Sequence, residues 1–394
     1  MKNIIGNPAR GEDFFPRKTE IHRIGKRIEA GGHIQLTAPR RVGKTSILMF
    51  FRDNPLAGYH FVYVDTEGVE EPDQYFKRLL EEILKISAIS QSVRILKQFE
   101  TGTNKFLGRV KTVKALGTQI ELNEAAETDH YTELLNFIKG IDLAGEKIVV
   151  LNDEFPYTIE NIIDKHNGDT TAAESFLKLK RTLRTDPEID GKLQLVYTGS
   201  IGLNALVERM GKTELMNDVN AVNVNPLTDD EARQLTSQVL ATYGYTIDYN
   251  TTTYLLKKAD WLIPFHIQLA LQEIMDLVLP GGLISDAIID KAFAQIVDYK
   301  NNSYFDHYLS RLRKQFKNEK FEFAVELLSH IASNGTLHTN AIHNMAQKHG
   351  VQHELKSLLG TLAYDGYINN NDQPDTYRFN SPIIKMWWQK YVSK

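Results

Sequence analysis

The chain has no cysteine among its 394 residues, which excludes disulfides, thiolate metal sites and thiol nucleophiles together. It also lacks any run near the roughly 18 apolar residues of a membrane-spanning helix. Its best runs, such as 147 to 151, are strand-sized, and Met1 to Gly6 shows no basic-then-apolar signal pattern. The expectation is a cytoplasmic protein with no membrane partner. An excess of one charge is missing as well: 46 Lys and Arg face 50 Asp and Glu, for a net charge of -4. That balance argues against a chain built mainly to neutralise nucleic acid phosphates. With 42% hydrophobic and 24% charged residues, disordered and collagenous classes are excluded, and the length suits one to three folded domains.

What is present starts with a short apolar run at 33 to 36, preceded by Gly31 and Gly32 and ended by Thr37. Ala38-Pro39-Arg40-Arg41-Val42-Gly43-Lys44-Thr45-Ser46 follows, then Ile47, Leu48, Phe50 and Phe51 at helical spacing. Strand, loop and helix stand in the order a phosphate cradle needs, and the segment fits GxxxxGK[ST] with Ala38 in place of the first glycine. In such a loop the backbone N–H groups surround a β-phosphate, Gly43 permits close approach, Lys44 supplies a point charge and the Thr45 hydroxyl helps hold Mg²⁺. The partner required is an apolar strand ending in acid. Val149-Val150-Leu151-Asn152-Asp153-Glu154 meets it, with Asp153 supporting Mg²⁺ and Glu154 polarising the attacking water.

Further strands are expected at Phe61 to Val64, 194 to 197 and 221 to 224, and helices at 75 to 86, 131 to 141 and 175 to 184. Alternation of this kind predicts a mostly parallel sheet covered on both faces. Residues 87 to 128 suggest a small hairpin around Val113 to Leu122 or an irregular insertion. From Thr228 the pattern turns helical, opened by a capping box with Glu231 and continued at 254 to 258, 265 to 278 and 285 to 297. After a basic segment, helices at 321 to 333, 339 to 348 and 352 to 364 precede a hairpin wing at 367 to 379. Ser381-Pro382 then caps a closing helix. Three helices and a hairpin are the winged-helix arrangement. The boundaries expected are a leader at 1–30, an ATPase core at 31–226, a helical lid at 227–300, a linker at 301–320 and a winged helix at 321–394.

The blocks at 38 to 46, 152 to 156 (Asn-Asp-Glu-Phe-Pro), 197 to 202 (Tyr-Thr-Gly-Ser-Ile-Gly), 225 to 228 (Asn-Pro-Leu-Thr) and 377 to 382 (Tyr-Arg-Phe-Asn-Ser-Pro) resemble the archaeal-type ATPases. That family belongs to the STAND branch of the AAA+ superfamily, and the order of blocks follows it over nearly the whole chain. The resemblance implies an α/β P-loop NTPase core with a helical lid and a C-terminal winged helix, binding ATP or ADP with Mg²⁺. It also implies Arg17 in an N-terminal box against base and ribose, Thr198 or Ser200 as a polar sensor of the γ-phosphate, and Pro264, with His266, where a lid meets nucleotide. Arg209 and Arg184 are candidates for an arginine finger acting on a neighbouring subunit.

Residues 304 to 394 carry a charge of +3 and six of the twelve histidines, but the helix at 352 to 364 offers only Lys356 as a cation. A winged helix here suits an internal latch as well as a DNA reader. The function expected is an ATP-driven conformational switch acting on a protein partner or a DNA-linked process. The alternatives are a ring-forming motor or DNA-loading ATPase, with self-association, and a DNA-binding regulator whose nucleotide is structural.

Overall fold

Five short apolar runs form one parallel sheet: the three central ones are buried on both faces, the two edge strands are partly exposed, and none carries a proline to interrupt the ladder. The strands are His33–Thr37 (β1), Tyr59–Asp65 (β2), and, beyond the short pair Val110–Thr112 (β3) and Ile120–Leu122 (β4), Lys147–Asp153 (β5), Leu193–Tyr197 (β6) and Val219–Asn223 (β7). Their order is β2-β5-β6-β1-β7, and the register sets Tyr63 opposite Leu151 and Asp65 opposite Asp153. The computed structural model describes residues 1–86, 89, 110–112, 120–122, 129–199 and 202–393. They form two units, one of 17–37 with 44–224 and the other of 1–16, 38–43 and 225–394.

In the sheet unit, Val62, Val64, Ile148, Val150, Leu193 and Leu195 face a core completed by Phe76, Leu79, Leu80 and Ile83 of helix Pro72–Leu84, Leu134 and Ile138 of His130–Gly140, and Phe176 of Thr171–Thr185. Each such side chain contributes about 1.5–3 kcal/mol of burial. The other face takes helix Lys44–Asp53, whose Phe51 stacks on Phe61 at 5.5 Å. Helix Phe155–Lys165 has no counterpart in the sequence reading; Pro156 sits in its first turn, where the missing N–H has no intrahelical acceptor to lose. β3 pairs antiparallel with β4; of the two only β4 lies within the hairpin expected around Val113 to Leu122, and Val113 to Gln119 are outside the described residues.

The second unit holds helices Asp229–Thr242, Tyr249–Ala259, Pro264–Leu277 and Asp286–Ile296, the first opened by a complete capping box of Thr228 and Glu231. The stretch expected as a linker, 301–320, contains a helix. Helix Asp306–Gln315 buries Tyr308, Arg311 and Leu312, and Arg311 donates to Asp365 at 2.6 Å, so one cation of the basic segment is internal rather than solvated. Helices Asn318–Asn334, Thr339–Lys348 and Leu355–Tyr364 follow. Thr336–His338 (β8), Ile368–Gln373 (β9) and Thr376–Phe379 (β10) make an antiparallel sheet in the order β8-β10-β9. Helix Pro382–Tyr391, capped by Ser381, closes this part with buried Trp387 and Trp388.

Candidate functional site

The chemistry of the sheet unit converges on the end of β5. Asp153 is 4% exposed, and its main chain is tied down by Thr66, whose N–H and hydroxyl donate to the Asp153 carbonyl at 3.2 and 2.8 Å. Its carboxylate accepts from three hydroxyls. Thr45 Oγ1 and Tyr63 Oη donate to Oδ2 at 2.8 and 3.0 Å, while Thr198 Oγ1 and, at 3.2 Å, the Glu154 N–H donate to Oδ1. Burial pushes this carboxyl above its ordinary value; the hydroxyl donors oppose the shift and the neighbouring Glu154 charge adds to it. Lys44, 7% exposed, opens the helix that carries Thr45. Glu154 sits in the left-handed region, φ 54°, as the cap of helix Phe155–Lys165. A non-glycine residue held there stores of order 1–3 kcal/mol, a cost tolerated where a side chain must be aimed.

The loop at 38–43 is part of the helical unit by its packing. Arg41 is also left-handed, φ 66°, and its guanidinium lies 4.4 Å from the Phe265 ring centroid and 6.0 Å from that of Tyr304. Gly43 has φ 100°, which an L side chain resists. Ala38 is not among the residues of positive φ, so the glycine usual at its position is not needed for backbone freedom. A Cβ on Gly366 would lie 2.6 Å from Trp261 and 3.5 Å from Pro39, so only glycine fits. His307, pushed down to about 2 by burial and by Arg40, Arg41 and Arg311, and His266, pushed down to about 3 by burial and then Arg41, are neutral beside these arginines.

A parallel sheet in this order, with a phosphate-type loop between β1 and its helix and a buried carboxylate at the end of β5, has a close structural parallel. A Walker-type ATPase of Pyrococcus abyssi superposes over 98% of this chain and 99% of its own, with a TM-score of 0.66 at 17% identity. The two chains share a fold. The ORC2 protein of Aeropyrum pernix, in its ADPNP–ADP complexes, matches over 96% of this chain and 94% of its own, with a TM-score of 0.53 at 10% identity. No family model matches the sequence, and no curated protein matches it.

In the sheet unit the Thr45 and Thr198 hydroxyls meet on the Asp153 carboxylate, with Lys44 next to Thr45 in the chain and Ser46 buried one residue further along the helix; Val42 is buried in the loop. Thr45 and Asp153, a hydroxyl and a carboxylate 2.8 Å apart, suit a hard divalent cation completed by phosphate oxygens and water. Arg17 is buried before helix Lys18–Glu29 and pairs with Glu20 at 3.3 Å. Pro264 opens the helix that presents Phe265 to Arg41. Arg209 is exposed and meets Glu160 at 3.5 Å. Arg184 cannot be a finger: its side chain is fully buried and donates to Asp218, Tyr197 and the Leu215 carbonyl. Ser200 lies outside the described residues. Among the described residues no helix is long and apolar enough to cross a membrane.

Sequence reasoning missed Tyr63, Phe265 and Tyr304. The only available signal for Tyr63 was a polar-tipped aromatic near the end of a strand, which becomes informative once β2 is known to lie beside β5.

Proposed function

We propose that the chain is a Mg²⁺-dependent ATPase that works as a conformational switch, its nucleotide state repositioning the helical lid and the winged helix to act on a protein partner or a DNA-linked process. The observation that carries this reading is the 2.8 Å hydrogen bond from Thr45 to Asp153 at the start of the helix that also bears Lys44. Lys44 would bind the β and γ phosphates, and Thr45 with Asp153 would hold the cation, which when bound neutralises phosphate charge. Glu154 would orient and deprotonate the attacking water, its left-handed backbone aiming the carboxylate independently of Asp153. Thr198 would hold Asp153 from the β6 side, and Arg209 would supply a finger in a self-associated state.

The test is phosphate release from ATP and Mg²⁺ by the wild type beside Lys44→Ala and Glu154→Gln, with nucleotide binding measured on each. Turnover in the wild type, lost binding at Lys44→Ala and retained binding without turnover at Glu154→Gln are expected. Limited proteolysis with ADP and with a non-hydrolysable ATP analogue tests the switch: identical cleavage patterns would remove it. The grip of Phe265 and Tyr304 on Arg41 favours a switch, since it couples the phosphate loop to the lid helix.

A further inference from the structure

Tyr63 stands on β2, an edge strand that pairs only with β5 among the described residues, and its ring lies on the face opposite Val62 and Val64. In register it faces Leu151, two residues short of Asp153, and the phenol spans that distance along the strand to donate to Asp153 Oδ2 at 3.0 Å. The same oxygen accepts from Thr45 at 2.8 Å, while Oδ1 is held by Thr198 and by the Glu154 N–H. Rotation of the carboxylate is therefore opposed from three separate elements of the sheet unit: β2, the helix that starts at Lys44, and the end of β6. The Thr45 hydroxyl donates its hydrogen bond to Asp153, which leaves the lone pairs of its own oxygen for a cation; Tyr63 keeps the accepting carboxylate oxygen in place.

We infer that Tyr63 is a positioning residue for the metal–nucleotide complex, acting through Asp153 rather than by touching nucleotide. The inference rests on the reading of this site as an ATP and Mg²⁺ site. Burial of the ring cannot explain the hydroxyl, because phenylalanine would fill the same space; the oxygen serves Asp153 alone among the hydrogen-bond partners found for it. The second contact of the ring, with the Arg52 guanidinium at 5.9 Å from its centroid, does not involve the hydroxyl.

The experiment is a titration of a fluorescent ADP analogue into wild type, Tyr63→Phe and Tyr59→Phe, each with Mg²⁺ and with EDTA, and a melting curve of each nucleotide-free protein. Tyr63→Phe is expected to lose about 10-fold of the affinity gained from Mg²⁺, with EDTA affinity and melting temperature near wild type. Tyr59→Phe, on the same strand but away from Asp153, should behave as wild type. A Tyr63→Phe protein that keeps the full Mg²⁺ gain overturns the inference and leaves the ATPase reading standing, as does a lowered melting temperature with that gain intact, which marks a purely structural hydroxyl. A wild type that binds no nucleotide in either buffer overturns the ATPase reading and the inference with it.

Discussion

Two neighbours on β5, Asn152 and Asp153, each receive a hydrogen bond from a tyrosine, and the two clusters could hardly be used more differently. On the core side, Tyr75 donates to Asn152 Oδ1, Lys180 donates to Tyr75, and Asn152 Nδ2 donates to the Val196 carbonyl at 3.0 Å. All three side chains are fully buried, ringed by Phe155 and Tyr197. On the other side, Tyr63, Thr45 and Thr198 hold Asp153, but Tyr63 and Thr45 are only half-buried. The first network is closed, every polar group meeting another inside the core. The second is organised around one charge and is reached from solvent. Alternation along a strand has placed a structural amide and a functional carboxylate one residue apart.

The largest expected effect separating the two is at Glu154, next to the open cluster. Glu154→Gln should lower turnover at least about 100-fold with nucleotide affinity and unfolding midpoint unchanged, measured by phosphate release and urea titration. Asn152→Leu should do the reverse. It strips Tyr75 of its acceptor and the Val196 carbonyl of a donor, and a loss of about 2–4 kcal/mol in urea unfolding is expected. If this variant lost its Mg²⁺-dependent affinity while keeping its stability, the contrast would be broken. A smaller change is expected for Thr198→Val, which leaves Oδ1 with only the Glu154 N–H: about a 10-fold weaker Mg²⁺ effect on ADP binding, with EDTA affinity retained.

The smallest effect sharpens the comparison through pH. Burial, and secondarily the charge of Arg184, lower the Lys180 amine well below its ordinary value of 10.5. The unfolded chain thus holds that proton more tightly than the folded chain, so stability rises as pH climbs toward 10.5 and the amine is a liability at pH 7. Lys180→Met should raise the melting temperature at pH 7, offset in part by the lost hydrogen bond to Tyr75, and the difference should shrink as the pH approaches 10. A difference that grows with pH would show that Lys180 is charged in the fold.

Much of the sheet and of the site was legible because the signals are local. The loop at 38 to 45 and the strand ending at Asp153 announce themselves by composition and spacing, and the Thr228 capping box was readable from two residues. Helix Asp306–Gln315 was hidden because its basic residues look solvated until Asp365, 54 positions away, is known to meet Arg311. Arg184 misled in the same way, its partner Asp218 lying beyond three further elements. Tyr63 required strand order, which a single sequence does not carry. Helix Phe155–Lys165 was obscured by Pro156, which reads as a break but stands at the one place in a helix where proline is welcome.

The loop at 38–43 has one more consequence, best put in mechanical terms. It is bonded at both ends to β1 and to the helix beginning at Lys44, yet it packs with the elements around Phe265. A stretch of chain held in that manner behaves as a tie rod. The chain passes between the two units at two peptide junctions, Thr37–Ala38 and Gly43–Lys44, and the second has the glycine freedom of a swivel. Gly43→Ala would stiffen that junction and strain the phosphate loop together, since φ 100° is a conformation an L side chain resists.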